Sequence, residues 1–274
     1  MIHLTSAELN TWIAALLWPL TRILGLIAAA PLFGNTSIPV PVKVSLGVLL
    51  AAILTPAIPA LPAADPMSLA GLLILVQEML IGLAMGFAMR IVFAAVEMAG
   101  EISSLTMGLG FASFFDPETK GRSSAVSQFL ALIATMAFLA LNAHLALLEA
   151  LAESFVTLPI AATPISIAAP YELVNWGGHI FVAGLQLSLP IVAALLITNV
   201  ALGILTRAAP QLNIFGIGFP VSLAVGLLTI SVAMPYLNMP VQNLINQGIE
   251  ASRKLVRNAA MRTPPVPAPV APAR

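Results

Sequence analysis

Residues 205–220 read LTRAAPQLNIFGIGFP, and the chain on both sides is almost wholly apolar: GLQLSLPIVAALLITNVALGI (184–204) precedes it and VSLAVGLLTISVAM (221–234) follows. Pro210 cannot continue a helix, Asn213 suits the N-cap of a second one, and Gln211 offers hydrogen-bonding groups to loose backbone at a turn. Arg207 falls in the last turn of the first helix, where the dipole favours a cation. The stretch therefore predicts a helical hairpin with a short polar tip at 207–213.

The surrounding composition says what solvent such a hairpin meets. Charged residues are 8% of the 274 and apolar residues 59%, whereas ordinary soluble domains carry about 25% charged residues. A fold of this length lacks the polar surface to stay dissolved, so lipid or other protein surrounds most of it. The 11 basic and 11 acidic side chains cancel, and no basic tract interleaves with aromatics, which argues against a nucleic-acid partner. Cysteine is absent, removing disulfides, thiolate metal sites and cysteine nucleophiles. The amino terminus MIHLTSAELNTW lacks the basic residues of a signal peptide and carries Glu8. The apolar run after it, about 12–33, is longer than a signal-peptide core and reads as a retained first helix.

Apolar stretches fall at about 12–33, 42–58, 68–96, 124–148, 178–206 and 214–236. Most approach the ~20 residues that span a bilayer, which predicts an all-α, polytopic membrane protein of about six long helices without a separate soluble domain. Polar or Pro-rich joints separate them at 34–43, 56–67, 100–124 and 149–177, and the end TPPVPAPVAPAR (263–274) reads as a solvated polyproline-like tail. With six spans, Lys43, Arg90, Lys120, Arg122 and Arg207 gather on one side, and Asp65, Glu149, Glu153 and Glu172 on the other. That assigns the basic side to the cytoplasm. The carboxyl end breaks the rule, because Arg253, Lys254, Arg257 and Arg262 then join the acidic side.

Glu78, Arg90, Glu97 and Glu101 lie in or beside the third apolar stretch, a costly place for charge. Arg90, Glu97 and Glu101 are seven and four residues apart, so a continuous helix stacks them on one stripe. Three readings stand: structural ion pairs facing neighbouring helices, a polar lining for a conduit, or a proton relay. His144 is a lone helical histidine suited to packing, and His3 and His179 have no metal-spaced partners. Nothing matches a nucleotide loop, a zinc-protease helix or a serine-hydrolase elbow, so neither enzyme chemistry nor a cofactor or metal is expected. Small residues such as Gly82, Ala84, Gly86, Ala88, Gly177, Gly178 and Gly184 fit close helix packing in lipid.

The pattern R-x-A-P-Q-L-N-I-F-x-I-G-F-P resembles a specific feature of the FliR family of type III export-gate proteins, flagellar and injectisome. The likeness recurs in EMAGEISSLTMGLGFASFFDP (97–117), LNAHLALLEAL (141–151) and RILGLIAAAPLFGNTSIPVPVK (22–43), and covers roughly 12–236. It implies one copy of the chain in a helical ring with FliP and FliQ around an export channel for unfolded flagellar proteins. FlhB is implied at the cytoplasmic end, with FlhA among the further apparatus. It also implies a FliP-like part at about 1–177 and a FliQ-like hairpin at 178–240, followed by a basic segment (241–262) and the tail. The tip residues Arg207, Pro210, Gln211 and Asn213 would face FlhB. The assembly would sit in the inner membrane at the flagellar basal body, raised toward the periplasm, where a spanning rule need not hold.

The same resemblance makes LTMGLGFASFFDP (105–117) the segment that closes the channel. Its chemistry is compatible: Gly108 and Gly110 release the backbone from helix, and Met107, Phe111, Phe114 and Phe115 supply large apolar surfaces. Asp116 and Pro117 then turn the chain. An apolar constriction blocks ions by dewetting; a loop that merely packs into its own protein is the plain alternative. Within the resemblance an injectisome subunit is the runner-up. A proton-coupled transporter using Glu78, Arg90 and Glu97 is the rival from another class, though paired halves with interrupted helices are not evident.

Overall fold

The computed structural model describes residues 6–59, 62, 64–111, 124–161, 166, 168–209 and 214–260. Among them there is no strand, and eight α-helices follow in order. They are α1 (Ser6–Ala29), α2 (Val40–Leu54), α3 (Leu69–Thr106), α4 (Ala125–Ala140), α5 (Ala143–Thr157), α6 (Ala168–Gly177), α7 (His179–Ala208) and α8 (Ile214–Ala260). Five helical stretches are long and apolar enough to cross a membrane, or six if α4 and α5 count as one bent span. The chain is an all-α, polytopic membrane protein, as its composition requires.

The helix boundaries differ from the hydropathy pattern in three places. The single run expected at 124–148 is broken and bent by 65°. Asn142 takes a left-handed φ of 54° there, a conformation asparagine tolerates better than most residues. The joint expected at 149–177 is largely helical, since α5 runs on to Thr157 and α6 follows. Finally, α8 continues 24 residues beyond the apolar run, from 236 to Ala260. The extension LNMPVQNLINQGIEASRKLVRNAA keeps an apolar face on Val241, Leu244, Ile245, Ile249, Leu255, Val256 and Ala259, all buried; a one-faced amphipathic helix lowers hydropathy without losing its period.

Two compact units emerge, each drawn from separate parts of the chain: one from residues 1–87, 148–174 and 251–274, the other from 88–147 and 175–250. In the first, α1 crosses the first half of α3 on glycines. A Cβ on Gly25 would lie 2.7 Å from the Met79 carbonyl oxygen, and one on Gly86 2.7 Å from that of Leu26. Gly82 is pressed closer still to the Arg22 carbonyl. The spacing Gly82-x-x-x-Gly86 thus lets two backbones touch, which in lipid replaces hydrophobic association as the source of packing. Pro19, within α1, has no N–H for the carbonyl of Ala15, and the Thr55 hydroxyl donates to that oxygen at 3.4 Å. Trp18, Ile23, Leu26, Ile74, Met85 and Phe155 fill the interior.

The second unit is built on the second half of α3, with α4, α7 and α8. Gly184, Ser188, Ile191 and Leu195 form the buried face of α7, at steps of four, three and four. Ser222, Gly226, Ile230 and Ala233 do the same for α8. Both faces carry the helical period expected of a packed stripe. Phe93 meets Phe138 edge to face, with centroids 5.7 Å apart.

Candidate functional site

The first unit holds a pair of charges with no exposed surface at all. Arg22 on α1 and Glu78 on α3 are both 0% exposed. The Arg22 Nε donates to Glu78 Oε2 at 2.6 Å, and Nη2 donates to Oε1 at 3.0 Å, a bidentate fork. Two further donors are used: Nη1 reaches the Ser154 hydroxyl and Nη2 the Leu158 carbonyl, each at 3.0 Å. The guanidinium carbon stands 4.4 Å from the centre of the Phe155 ring, a cation–π contact. A charge inside an apolar span is tolerable only when paired and fully hydrogen-bonded, and this one ties α1, α3 and α5 together. Arg22 opens the quoted segment RILGLIAAAP, yet sequence reasoning did not single it out. One charged residue midway along the apolar run 12–33 was the available signal.

Glu78 is therefore apart from the Arg90–Glu97–Glu101 stripe, because it faces α1 and its partner is Arg22. Arg90 is exposed and Glu97 and Glu101 are half-buried. Glu101 serves the start of α4: its Oε2 accepts from the Ser124 backbone N–H at 3.1 Å, while the Ser124 hydroxyl accepts from Ser127 N–H at 3.2 Å. Both acceptors satisfy donors that a helix N-terminus leaves open. The Ser127 hydroxyl donates to the Glu97 carbonyl at 2.8 Å. Gly100 leaves space for this contact, since a Cβ there would sit 2.8 Å from Ser127 N.

Of the segment read as a closing element, Met107 to Phe111 are described; Phe114, Phe115, Asp116 and Pro117 lie outside the described residues. Met107 is 0% exposed. Its side chain lies on Gly226 of α8, where an added Cβ would come within 2.6 Å of Cγ and 3.0 Å of Sδ. Gly108 has φ +84° and ends the helical path, a conformation that favours glycine. A Cβ on it would lie 3.2 Å from the Phe219 ring. Residues 109–111, with Gly110 at the centre, make a 3₁₀ turn. Two motifs that were legible separately, LTMGLGF and GIGFP, are thus in contact within one unit.

Of the hairpin tip, Arg207 is exposed in the last turn of α7; Pro210, Gln211 and Asn213 lie outside the described residues. His144 packs beside Phe138, with ring centroids 6.4 Å apart. A cleft of about 680 Å³ between α7 and α8 is lined by polar His179, Gln186, Tyr236, Asn243 and Gln247 and by apolar Leu187, Pro190 and Val232 among others. Among the described residues that line it, none is Asp, Glu, Lys or Arg. Among the described residues no three His, Asp or Glu side chains gather as a metal site.

Two of the carboxyl-terminal cations that broke the charge rule, Arg253 and Lys254, are paired locally. Arg253 pairs with Glu149 at 3.3 Å and with Glu153 at 3.2 Å, and Lys254 Nζ lies 2.5 Å from Glu172. These are the very carboxylates assigned to that side by the chain order, so acidic and basic groups do share one end of the first unit.

Residues 13–248 match the family of bacterial export proteins, family 1. The flagellar biosynthetic protein FliR of Pectobacterium carotovorum is 42% identical over 90% of this chain and 94% of its own length. The FliR of Escherichia coli K12 is 41% identical over 86% and 90%, respectively. That of Bacillus subtilis 168 is 30% identical over 86% and 92%. An intact membrane core and these relatives, none named for an enzymatic activity, leave one conclusion: the chain belongs to the family 1 bacterial export proteins, the FliR family of flagellar biosynthesis.

Proposed function

We propose that this chain is a core subunit of the flagellar type III export gate. It joins FliP and FliQ in the channel through which unfolded flagellar proteins cross the inner membrane at the basal body. FlhB meets the hairpin tip around Arg207, and FlhA belongs to the same apparatus. The match to flagellar export relatives along nearly the whole membrane-embedded length carries this reading. Large apolar side chains left exposed on α2, α7 and α8, among them Ile53, Leu196, Ile197, Leu228 and Val232 at 62–72% exposure, support it. So many such groups on several helices suit a chain surrounded by lipid and other helices.

In this reading residues 105–117 close the channel at rest. Met107, Phe111, Phe114 and Phe115 supply an apolar constriction that denies ions a hydrated path, with Gly108 and Gly110 freeing the backbone and Asp116 and Pro117 turning it. Flagellar relatives favour the flagellum over the injectisome. The engagement of both Glu78 carboxylate oxygens by Arg22 argues against a coupled transporter that would use Glu78 as a titrating carboxylate. Co-expression with FliP and FliQ and native mass measurement of the detergent-extracted particle tests the assignment. A large hetero-oligomer containing this chain is expected; a lone monomer or dimer would instead support a transporter.

A further inference from the structure

The cleft between α7 and α8 changes character along its length. The Ser222 hydroxyl donates to Asn199 Oδ1 at 3.3 Å, so these two consecutive helices lie side by side as an antiparallel pair. Distance from that bond orders the lining residues, at about 1.5 Å per residue. Nearest to it are Leu187 and Pro190 of α7 and Thr229, Val232 and Ala233 of α8. The one hydroxyl among them is used, since Thr229 donates to the Val225 carbonyl at 2.8 Å. Farther away come His179, Gln186, Tyr236, Asn243 and Gln247, and none of these five side chains is hydrogen-bonded to another described residue. Trp176 stacks on His179 with centroids 4.1 Å apart, and its Nε1 is itself held by the Ala88 carbonyl at 2.8 Å. Pro190 and Pro240 lie inside the two helices. Having no N–H, they leave the carbonyls of Gln186 and Tyr236 without their helical donors, and all four residues line the cleft. The stretches 187–206 and 214–234 carry one charge or none apart from the tip and match the ~20 residues that cross hydrocarbon. The polar lining therefore begins where the apolar span ends.

We propose that this cleft binds one phospholipid with a net-neutral headgroup that carries N–H donors, a phosphoethanolamine lipid. An amphiphile matches the gradient: its glycerol and upper chains meet Leu187, Pro190 and Val232, and its headgroup meets His179, Asn243 and Gln247. The headgroup class follows from charge and hydrogen bonding. No Asp, Glu, Lys or Arg lines the cleft, so a net charge there would lack a partner. The amide N–H groups of Asn243 and Gln247 and the Tyr236 hydroxyl donate to phosphate oxygens. The amide oxygens and the proline-freed carbonyls of Gln186 and Tyr236 accept from the ammonium. A choline headgroup has no N–H to give these acceptors, and an apolar helix from another subunit would leave all the polar groups unpaired. The volume of about 680 Å³ takes a headgroup with its glycerol and the start of the chains. The remaining chain length lies on Leu189 and Leu228, which are exposed beside the cleft. This site is independent of the closing role assigned to residues 105–117.

The chain contains no cysteine, so Ala183→Cys places its only thiol on a lining residue of the cleft. The full-length chain, extracted with whatever it assembles with and delipidated by detergent exchange, is treated with a maleimide. Modification of residue 183 is followed by peptide mass spectrometry. Phosphatidylethanolamine, phosphatidylcholine and phosphatidylglycerol with identical acyl chains are added in turn. Phosphatidylethanolamine should protect the thiol at a concentration about tenfold lower than either of the others. Adding Asn243→Leu and Gln247→Leu should raise its half-protecting concentration about tenfold, the worth of one or two hydrogen bonds. Gln242→Leu, beside the cleft and bonded to Asn238, should leave it unchanged. The three-lipid comparison needs only the Ala183→Cys chain, so it decides the matter even if the further variants fail to fold. Equal protection by all three lipids, or none by phosphatidylethanolamine, would overturn the site. A thiol already shielded in the delipidated particle would also overturn it, because a protein segment would then fill the cleft.

Discussion

The α1–α3 crossing of the first unit and the glycine contacts of α7 and α8 in the second solve close packing differently. Where α1 crosses α3 in the first unit, Gly25, Gly82 and Gly86 meet backbone atoms, and the bidentate Arg22–Glu78 pair locks the same helices. In the second unit, three glycines of α7 and α8 meet side chains of the α3 strip instead: Gly184 lies against Met98, Gly226 against Met107, and Gly248 against Val92 and Met89. The three methionines are nine residues apart. Backbone-to-backbone contact admits no adjustment, whereas a thioether can rotate away and repack. The α1–α3 crossing is thus fixed by backbone contact, whereas at Gly226 and Gly248 in the second unit the neighbouring side chains have room to repack.

Breaking the lock should produce the largest effect on stability. Arg22→Ala leaves the Glu78 carboxylate buried without its partner, which costs about 3–5 kcal/mol. Thermal unfolding of the detergent-purified chain should register a large loss. Arg22→Met combined with Glu78→Leu should recover much of it, since removing both charges leaves neither orphaned. A mild effect of Arg22→Ala would mean that the knot does not organise the unit.

The glycines sharpen the comparison at intermediate size. Gly82→Ala drives a Cβ into backbone, so overpacking of about 1–3 kcal/mol is expected. Gly248→Ala meets side-chain ends, Val92 Cγ2 at 2.5 Å and Met89 Cε at 3.1 Å, and should cost below about 1 kcal/mol, because these can yield. Equal losses at the two positions, read by protease resistance or melting, would erase the distinction between the units. Gly203→Ala marks the small end of the scale. Nothing lies within 4 Å of a Cβ there, so the change should be neutral or slightly stabilising, by up to about 1 kcal/mol.

Much of this was legible in the sequence. The all-helical membrane class followed from scarce charge and long apolar runs, and the Gly82-x-x-x-Gly86 spacing marked a close crossing. The Arg22–Glu78 pairing was not legible, because the partners are 56 residues apart and periodicity links only groups on one helix. Glu78 was therefore grouped with its chain neighbours Arg90, Glu97 and Glu101. The Met107–Gly226 contact was hidden for a related reason: a glycine in an apolar run shows that something comes close, without saying what. The bend at Asn142 lay inside an unbroken apolar run, since hydropathy is blind to a left-handed residue.

The closing role of the second unit is tested most directly by resting ion flux. The variant lacking residues 106–115 would be co-expressed with FliP and FliQ, checked for full assembly, and compared with wild type in membrane vesicles loaded with an ion-sensitive dye. The deletion removes Met107, whose side chain is buried, together with Leu109, Phe111, Phe114 and Phe115; burying one large apolar side chain is worth about 1.5–3 kcal/mol, enough to favour a wetted path when lost. We expect the assembled variant to leak ions without any export substrate present. An assembled variant as tight as wild type would contradict the claim and place the seal in another element.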